Sequence, residues 1–309
     1  MHIPQIPADL NARFALPSLR FTRGPGELAF AEIDNALGTA GLCLQGAHIT
    51  TFHPRGQAEP VVWLSEEARF APGKSIRGGV PVCWPWFGPH ATQADFPAHG
   101  FARTMPWQVT GSAQLATGET EILLQWLDTR QSQTQWPHPC RLELKAVVGE
   151  NLRIELTTSN MGSADILIGE ALHTYFHIGD IGRIVIRGLE GCEYVDKVDG
   201  GARKTQTGAL TCGGEVDRVY VDTAATCTIE DPELRRRIVV EKSGSRSTVV
   251  WTPWADKAAA MGDLGPVIDG RGGWRGMVCV ESGNALDNVV TVPAGQSHTL
   301  GVTYSVLPL

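Results

Sequence analysis

The chain has 309 residues, of which 42% are hydrophobic and 19% are charged. This is enough to form a sizeable core, either as one large unit or as two ordinary domains. The formal net charge of -7 argues against a nucleic-acid-binding protein, which usually has a basic surplus or a basic stripe. No run of about 18 uncharged apolar residues occurs, so no membrane-spanning helix is predicted.

The seven cysteines are scattered along the chain, and no two of them form a C-x-x-C pair. They predict neither a disulfide framework nor a cysteine-based zinc site. Residues 1–10 lack a basic stretch followed by an apolar core, so no signal peptide is predicted. We therefore expect a reduced, cytoplasmic protein.

In chain order, the sequence is a succession of short apolar or alternating segments separated by Gly, Pro, Asn and Asp. The 35 glycines and 19 prolines indicate many turns and few long helices. The alternation in residues 152–156 is strict, which predicts a strand with one buried and one exposed face. Residues 148–151 separate two such segments and predict a hairpin turn. The clearest predicted strands are Glu121–Leu127, Arg141–Val148, Leu152–Thr158, Arg183–Leu189, Ile238–Lys242, Thr248–Trp251 and Leu300–Val306.

One segment, Asp256–Leu264, has the composition of a short helix, because alanines occupy its centre. Strand-like segments at this spacing indicate an all-β sandwich or barrel rather than βαβ units. We predict an N-terminal arm over residues 1–15 and a single β-sandwich domain over residues 16–309. Nothing in the sequence demands an oligomer, so a monomer is expected.

The first candidate functional segment covers residues 74–88 and continues at residues 99–103. It is rich in Trp, Phe, Gly and Pro, and its basic and histidine side chains are Lys74, Arg77, His99 and Arg103. Aromatic faces such as that of Trp84 suit the apolar face of a pyranose, whereas Arg and Lys suit a phosphate. The alternative is a rigid loop whose aromatic residues pack in the core and whose cations pair with surface carboxylates. Ligand contact is favoured for the two arginines.

The second segment, residues 166–177, is a strand-like apolar run that contains His173 and His177. On one strand these two side chains would face the same side, because side chains alternate with period two. A metal-binding pair is one interpretation. However, no acidic residue stands at metal-site spacing, and a histidine in such a run is more often a hydrogen-bonded core residue.

The third segment, residues 276–284, places Glu281 at the end of an apolar run, just before a turn. Burial would raise the pKa of this carboxyl group, as a general base working near neutral pH requires. From this segment alone, an edge-strand glutamate that points to solvent is an equally good interpretation.

Together these segments resemble the glucose-6-phosphate 1-epimerase family, the hexose-6-phosphate mutarotases among the galactose-mutarotase-like epimerases. Six motifs in one order carry the resemblance over almost the whole chain. They are Arg77-Gly-Gly-Val-Pro81 with Trp84-Pro-Trp-Phe-Gly88, His99-Gly-Phe-Ala-Arg103, Glu170-Ala-Leu-His-Thr-Tyr-Phe176, Asp217-Arg-Val-Tyr220, Val250-Trp-Thr-Pro-Trp254 with Lys257-Ala258, and Val280-Glu-Ser-Gly-Asn284.

The resemblance implies a large antiparallel β-supersandwich with few short helices and a site on one sheet. It implies that His173 is the general acid and Glu281 the general base of ring opening and reclosure, with no metal and no cofactor. Asp217 would bind sugar hydroxyls and help to orient the acid. The other implied substrate contacts are Arg77 and Arg103 at the phosphate, Lys74 as a further phosphate candidate, and His99 and Trp84 beside the sugar.

The implied function is the interconversion of the α and β anomers of D-glucose 6-phosphate and related hexose 6-phosphates. A small sugar phosphate is the expected ligand, and neither nucleic acid nor a membrane is an expected partner.

Three alternatives stay open. An aldose 1-epimerase acting on unphosphorylated sugars would give Arg77 and Arg103 little to pair with. A metal-dependent sugar-phosphate isomerase would use His173, His177 and Glu170. A non-catalytic carbohydrate-binding module would use the tryptophans as a stacking platform.

Overall fold

The computed structural model describes residues 6–126 and 128–309, and of residue 131 only the backbone. The described residues contain three short α-helices, Pro7–Phe14 (α1), Arg130–Gln135 (α2) and Trp254–Met261 (α3). The strands are Leu19–Arg23 (β1), Ala29–Asp34 (β2), Gly38–Cys43 (β3), His48–Pro54 (β4), Val82–Cys83 (β5), Trp107–Gln114 (β6), Thr120–Trp126 (β7), Cys140–Val148 (β8), Leu152–Asn160 (β9), Ile166–Ile168 (β10), Glu170–Leu172 (β11), Tyr175–His177 (β12), Val185–Arg187 (β13), Glu193–Asp196 (β14), Ala202–Thr205 (β15), Val216–Tyr220 (β16), Cys227–Asp231 (β17), Arg236–Ser243 (β18), Ser247–Thr252 (β19), Met277–Asn284 (β20), Val290–Val292 (β21) and Ser297–Pro308 (β22). The prediction of an all-β chain with few short helices is confirmed.

Two large antiparallel sheets form a sandwich. The first, here named the outer sheet, has the strand order β13-β17-β18-β22-β9-β8-β7-β6. The second, the inner sheet, has the order β15-β14-β16-β19-β20-β11-β5, and β12 also pairs with β20. A four-stranded sheet, β1 to β4, and the pair β10-β21 complete the architecture.

The main core lies between the two large sheets. Leu144 of β8 and Leu156 of β9 belong to the same buried cluster as Val250 of β19 and Val280 of β20. Full burial of such a side chain contributes about 1.5–3 kcal/mol. Even-numbered residues of β16, β19 and β20 face this core, so their odd-numbered residues face the opposite side of the inner sheet. That opposite side is named the cleft face.

The predicted strands are observed with small changes at their ends. The predicted hairpin is also present, because Val148 of β8 pairs with Leu152 of β9. Strand β13 is shorter than predicted and covers only Val185–Arg187. Leu127, the last residue of another predicted strand, lies outside the described residues.

The predicted helix over 256–264 is observed as α3, over Trp254–Met261. It ends earlier than predicted because Gly262 adopts a left-handed conformation, with φ 65°, and caps the helix. No helix in the described part of the chain is both long enough and apolar enough to cross a bilayer.

Within the predicted arm, helix α1 packs on the sandwich. Leu10 is 3% exposed and belongs to the main core, and the Asn11 side chain exchanges hydrogen bonds with the backbone of Phe21. Residues 1–5 of that arm lie outside the described residues. The division of the chain at residue 15 stays a prediction.

Candidate active site

Strand register places the candidate catalytic residues on the cleft face of the inner sheet. One row of paired residues consists of Asp217, Trp251, Cys279 and Tyr175. The adjacent row contains Val219, Val249 and Glu281. Leu172 of β11 pairs with Ser282 of β20, and Tyr175 of β12 pairs with Cys279 of β20. The register is the same before and after His173, so His173 lies opposite Glu281.

The predicted strand through His173 and His177 is interrupted in the structure. Strand β11 ends at Leu172 and β12 begins at Tyr175. The backbone N–H of His173 donates instead to the carbonyl of Pro81, at 3.0 Å. The break therefore places His173 beside the Arg77–Pro81 segment.

A cavity of about 300 Å³ opens above these rows, at the small end of the range for ligand sites. Six of the eight predicted site residues line it, namely Arg77, His99, Arg103, His173, Asp217 and Glu281. These side chains come from distant parts of the sequence, so the fold brings them together.

His173 and Glu281 form a buried pair. His173 Nε2 lies 3.4 Å from Glu281 Oε1, and the Glu281 side chain is 1% exposed. Burial, together with the nearby charge of Asp217, raises the pKa of Glu281 well above its ordinary value. Burial also lowers the pKa of His173, and His99 and Arg103 add to the effect. The two shifts together favour a pair that holds a single proton.

The His173 ring is held mainly by aromatic neighbours. It stacks on Tyr175, with 5.1 Å between ring centroids and 14° between the planes. The rings of His99 and Trp251 meet it edge to face, at 5.7 Å and 6.3 Å. Among the described residues, Asp217 makes no hydrogen bond with His173, so the orienting role assigned to Asp217 stays a prediction.

His99 presents a hydrogen-bond donor to the cavity. Its backbone adopts a left-handed conformation, with φ 65°. The backbone N–H of His99 donates to the Gly88 carbonyl, and the backbone N–H of Gly88 donates to the ring nitrogen Nδ1 of His99. Burial and the nearby Arg103, Lys197 and Arg77 lower the pKa of His99 to about 3. The neutral ring therefore carries its hydrogen on Nε2, since Nδ1 is an acceptor.

Three cations line the cavity. Arg77 Nε lies 3.0 Å from Asp263 Oδ1, and Arg77 Nη1 donates to the Tyr175 hydroxyl at 2.9 Å. Arg103 donates from Nη2 to the carbonyl of Ala98 at 2.9 Å. Within residues 6–126 and 128–309, neither Arg103 nor Lys197 has a carboxylate within ion-pair distance. Positive charge is therefore available there for an anionic ligand.

Two predicted substrate contacts do not line the cavity. Trp84 is fully buried between the sheets, 5.4 Å from the Trp126 ring and 5.7 Å from the Phe101 ring, and its indole N–H donates to Thr158. It packs in the core because even-numbered residues of this part of the inner sheet, such as Val82, face the outer sheet. Lys74 lies on an exposed loop, and the lining of the cavity begins one residue later, at Ser75.

The ligands of the metal-dependent alternative are not brought together. Glu170 is fully buried, 2.9 Å from His298 Nε2, and it accepts a hydrogen bond from Asn284. His177 does not line the cavity that contains His173.

The structure adds six polar or aromatic side chains that the site prediction did not include. They are Ser75, Phe87, Tyr175, Lys197, Trp251 and Asp263. Tyr175 follows His173 by two residues, so strand alternation could have identified it. Lys197 and Asp263 lie outside the strands, and no local pattern distinguishes them.

The chain is similar to known proteins over most of its length. Residues 30–305 match the family model described as aldose 1-epimerase. A protein of Escherichia coli (strain K12), provisionally named glucose-6-phosphate 1-epimerase, is 36% identical over 273 residues, which are 88% of each chain. A Cenchrus ciliaris protein with the same provisional name is 30% identical over 280 residues, covering 87% of this chain and 82% of the relative.

Solved structures agree with this similarity. The crystal structure of a Salmonella typhimurium protein, provisionally described as a mutarotase, has a TM-score of 0.85 at 32% identity and covers 95% of both chains. A galactose mutarotase-like protein from Clostridium acetobutylicum has a TM-score of 0.70 at 12% identity, with 94% of this chain and 98% of that chain covered, and supports the fold alone. Because the family model matches nearly the whole chain and the Escherichia coli relative is 36% identical, the chain belongs to the aldose 1-epimerase family.

Proposed function

We propose that the protein is an isomerase that interconverts the α and β anomers of a hexose 6-phosphate, with D-glucose 6-phosphate as substrate. The observation that carries the proposal is the buried pair His173–Glu281, 3.4 Å apart, in a cavity that also contains Arg103 and Lys197. The provisional names of the relatives from Escherichia coli and Cenchrus ciliaris support the same substrate.

The chemistry requires an acid and a base that lie close together. The anomeric hydroxyl oxygen and the ring oxygen are both bonded to C1, so two groups separated by 3.4 Å can reach them at the same time. The reactive form of the pair is the one in which its single proton lies on His173. In that form Glu281 accepts the proton of the anomeric hydroxyl while His173 donates its proton to the ring oxygen. The C1–ring oxygen bond breaks and the free aldehyde forms. Positioned proton transfer of this kind contributes about 10²–10⁴-fold to a rate.

Ring closure reverses these roles. Rotation about the C1–C2 bond turns the other face of the aldehyde toward the ring-closing hydroxyl. His173 takes back the proton of that hydroxyl, and Glu281 returns its proton to the carbonyl oxygen. The pair ends in its starting protonation state, and the product is the opposite anomer.

The cations of the cavity favour a phosphorylated sugar. Arg103 and Lys197 have no carboxylate partner within ion-pair distance in the described part of the chain, and Arg77 retains N–H donors beyond those bound to Asp263 and Tyr175. A phosphate would accept charge-assisted hydrogen bonds from these groups. A neutral sugar would offer them no charge.

Asp217 is proposed to bind sugar hydroxyls. Its side chain lines the cavity on the same sheet face as Glu281, and burial raises its pKa. A carboxylate accepts hydrogen bonds from hydroxyls without needing a partner of fixed geometry.

The test is NMR exchange spectroscopy on equilibrated glucose 6-phosphate, with glucose measured in parallel. The wild type should accelerate α/β exchange of the phosphorylated sugar more than that of glucose. His173→Ala and Glu281→Gln should each lower the catalysed rate by at least about 100-fold, since each removes a proton-transfer group. Glu241→Gln, which changes an exposed glutamate of β18, is the matched control and should exchange at the wild-type rate.

Two results would contradict the proposal. Exchange at the buffer rate with the wild type would remove the catalytic function. Faster exchange of glucose than of glucose 6-phosphate would favour the enzyme acting on unphosphorylated sugars.

A further inference from the structure

Three side chains of different chemistry converge next to the cavity, which two of them, His173 and Glu281, line. One ring nitrogen of His173, Cys279 Sγ and one carboxylate oxygen of Glu281 lie within 4.8 Å of one another. Cys279 is fully buried and stands between Trp251 and Tyr175 in its row of the inner sheet. The acid–base chemistry proposed above gives the thiol no role.

Two atoms in this group have no partner. Glu281 Oε2 and His173 Nδ1 are buried, and neither makes a hydrogen bond with any described residue. An unpartnered carboxylate oxygen inside a protein is costly, because it has lost its water without gaining another donor. A cation at this position would supply the missing interaction.

The distances fit a tetrahedral metal ion. Zn²⁺ binds imidazole nitrogen and carboxylate oxygen at about 2.1 Å, which places two such ligands about 3.4 Å apart in a tetrahedron. His173 Nε2 and Glu281 Oε1 are 3.4 Å apart. The sulfur of Cys279, within 4.8 Å of both groups, needs to move by only about 1 Å to complete a third bond of about 2.3 Å.

The ligand types select the metal. A thiolate and an imidazole suit Zn²⁺ and other thiophilic divalent ions, whereas Mg²⁺ and Ca²⁺ prefer oxygen ligands. We propose that His173, Cys279 and Glu281 form a binding site for Zn²⁺ and similar thiophilic divalent cations, and that the bound ion inhibits the isomerase. The fourth ligand position faces the cavity and takes a water molecule.

Inhibition follows from the atoms that the ion uses. The bound ion occupies the ring nitrogen of His173 that would carry the transferred proton and an oxygen of Glu281 that would accept one. Binding also releases to solvent the thiol proton of Cys279 and the single proton of the His173–Glu281 pair, because the metal ligands are the thiolate, the neutral imidazole and the carboxylate. The inhibitory effect rests on the proposed function, whereas binding of the ion does not.

Binding is tested with Co²⁺ as a spectroscopic probe of the full chain. A Co²⁺–thiolate bond gives a charge-transfer absorption band, so the wild type should show this band, saturating at one ion per chain and reversed by Zn²⁺. Cys279→Ala should lose the band. The matched control is Cys43→Ala, which removes an equally buried thiol on β3 and should keep the band. A band that persists in Cys279→Ala, or no band in the wild type, would overturn the proposal.

A second variant keeps the test decisive if Cys279→Ala does not fold. His173→Ala retains the thiol but loses one ligand. Its affinity for Co²⁺ should fall by at least about 10-fold, because removing a residue that only hydrogen-bonds to a metal ligand already costs that much. Unchanged affinity in this variant would also overturn the site.

Inhibition is tested in the exchange assay. Zn²⁺ should abolish α/β exchange by the wild type and by Cys43→Ala, and a chelator should restore it. Cys279→Ala should retain its exchange rate in the same concentration of Zn²⁺. Equal inhibition of Cys279→Ala would overturn the proposal. Failure of the proposed function would appear differently, as no exchange in metal-free wild type while the Co²⁺ band is still present.

Discussion

His173 and Glu281 are both buried, and burial acts on them in opposite directions. A neutral imidazole and a protonated carboxyl group each avoid a charge in a site of low polarity, so the pKa of His173 is lowered and that of Glu281 is raised. The single proton of the pair therefore belongs to both residues as one titrating unit. Catalysis should decline at low pH, when the pair binds a second proton, and at high pH, when it loses its only one.

This arrangement predicts the resting charge of His173. At about pH 6, where an ordinary imidazole is mostly protonated, His173 should be neutral in the free enzyme. His298 is the internal contrast, because its hydrogen bond to Glu170 raises its pKa and keeps it protonated at that pH. NMR of the histidine ring nitrogens measures both states, and His173→Ala assigns the signal. A protonated His173 at pH 6 would contradict the argument.

Trp84 shows where residue-level reasoning fails. Aromatic side chains were expected beside the sugar, yet Trp84 packs with Phe101 and Trp126 in the core, while Trp251 lines the cavity. Both tryptophans lie in aromatic, proline-containing motifs, and composition cannot separate them. The side of the inner sheet on which each residue lies determines its environment.

At the scale of the element, strands with one exposed face were predictable and fully buried strands were not. Strand β9 alternates in burial over its first residues, as the pattern of residues 152–156 indicated. All eight residues of β20 are buried, so no polar alternation shows which way Glu281 points. The sequence alone therefore left a catalytic and a solvent-facing glutamate equally acceptable.

The loop that carries His99 and Arg103 predicts a sharp effect at Gly100. Gly100 has φ 68°, and a Cβ there would lie 1.9 Å from the Trp84 carbonyl oxygen. Gly100→Ala should lower the free energy of unfolding by about 3 kcal/mol or more, from overpacking and left-handed strain together. It should also slow exchange, since the adjacent His99 lines the cavity and would be displaced with the loop. Urea denaturation measures the stability change.

The matched control for Gly100→Ala is Gly73→Ala. Gly73 has φ 72°, but a Cβ there meets no atom within 4 Å. Only the conformational strain remains, so a cost of about 1 kcal/mol is expected. Equal losses in the two variants would show that the contact with the Trp84 carbonyl is unimportant.

At the scale of the whole molecule, strand segments were predictable but their pairing order was not. Strand β20 pairs with β11, more than 100 residues earlier in the chain, and with β19 on its other side. Such pairings depend on long-range packing, which no local pattern records. The proximity of His173, Asp217 and Glu281 was therefore supplied by the family resemblance, and the register of the inner sheet supplies its physical basis.

The two large sheets are also joined by a titratable pair, and this predicts how stability depends on pH. His298 on β22 of the outer sheet contacts the buried Glu170 on β11 of the inner sheet, with 2.9 Å between Nε2 and Oε1. The hydrogen bond and the charge of Glu170 raise the pKa of His298 above its unfolded value of 6.5. A raised pKa means that the stabilisation is fully present below pH 6.5 and is lost as the pH rises through the folded-state pKa.

The variant His298→Gln tests this connection between the sheets. It should lower the free energy of unfolding by about 3 kcal/mol at pH values below 6.5, because it leaves a buried carboxylate without its cation. The difference from the wild type should shrink as the pH rises through the folded-state pKa of His298, and urea denaturation across this range measures it. Other buried histidines, such as His48 with its pKa lowered to about 4, titrate in both proteins and cancel in the difference. Glu170→Gln should remove the same pH dependence. A difference that is constant with pH would show that His298 stabilises the sandwich by packing rather than by its charge.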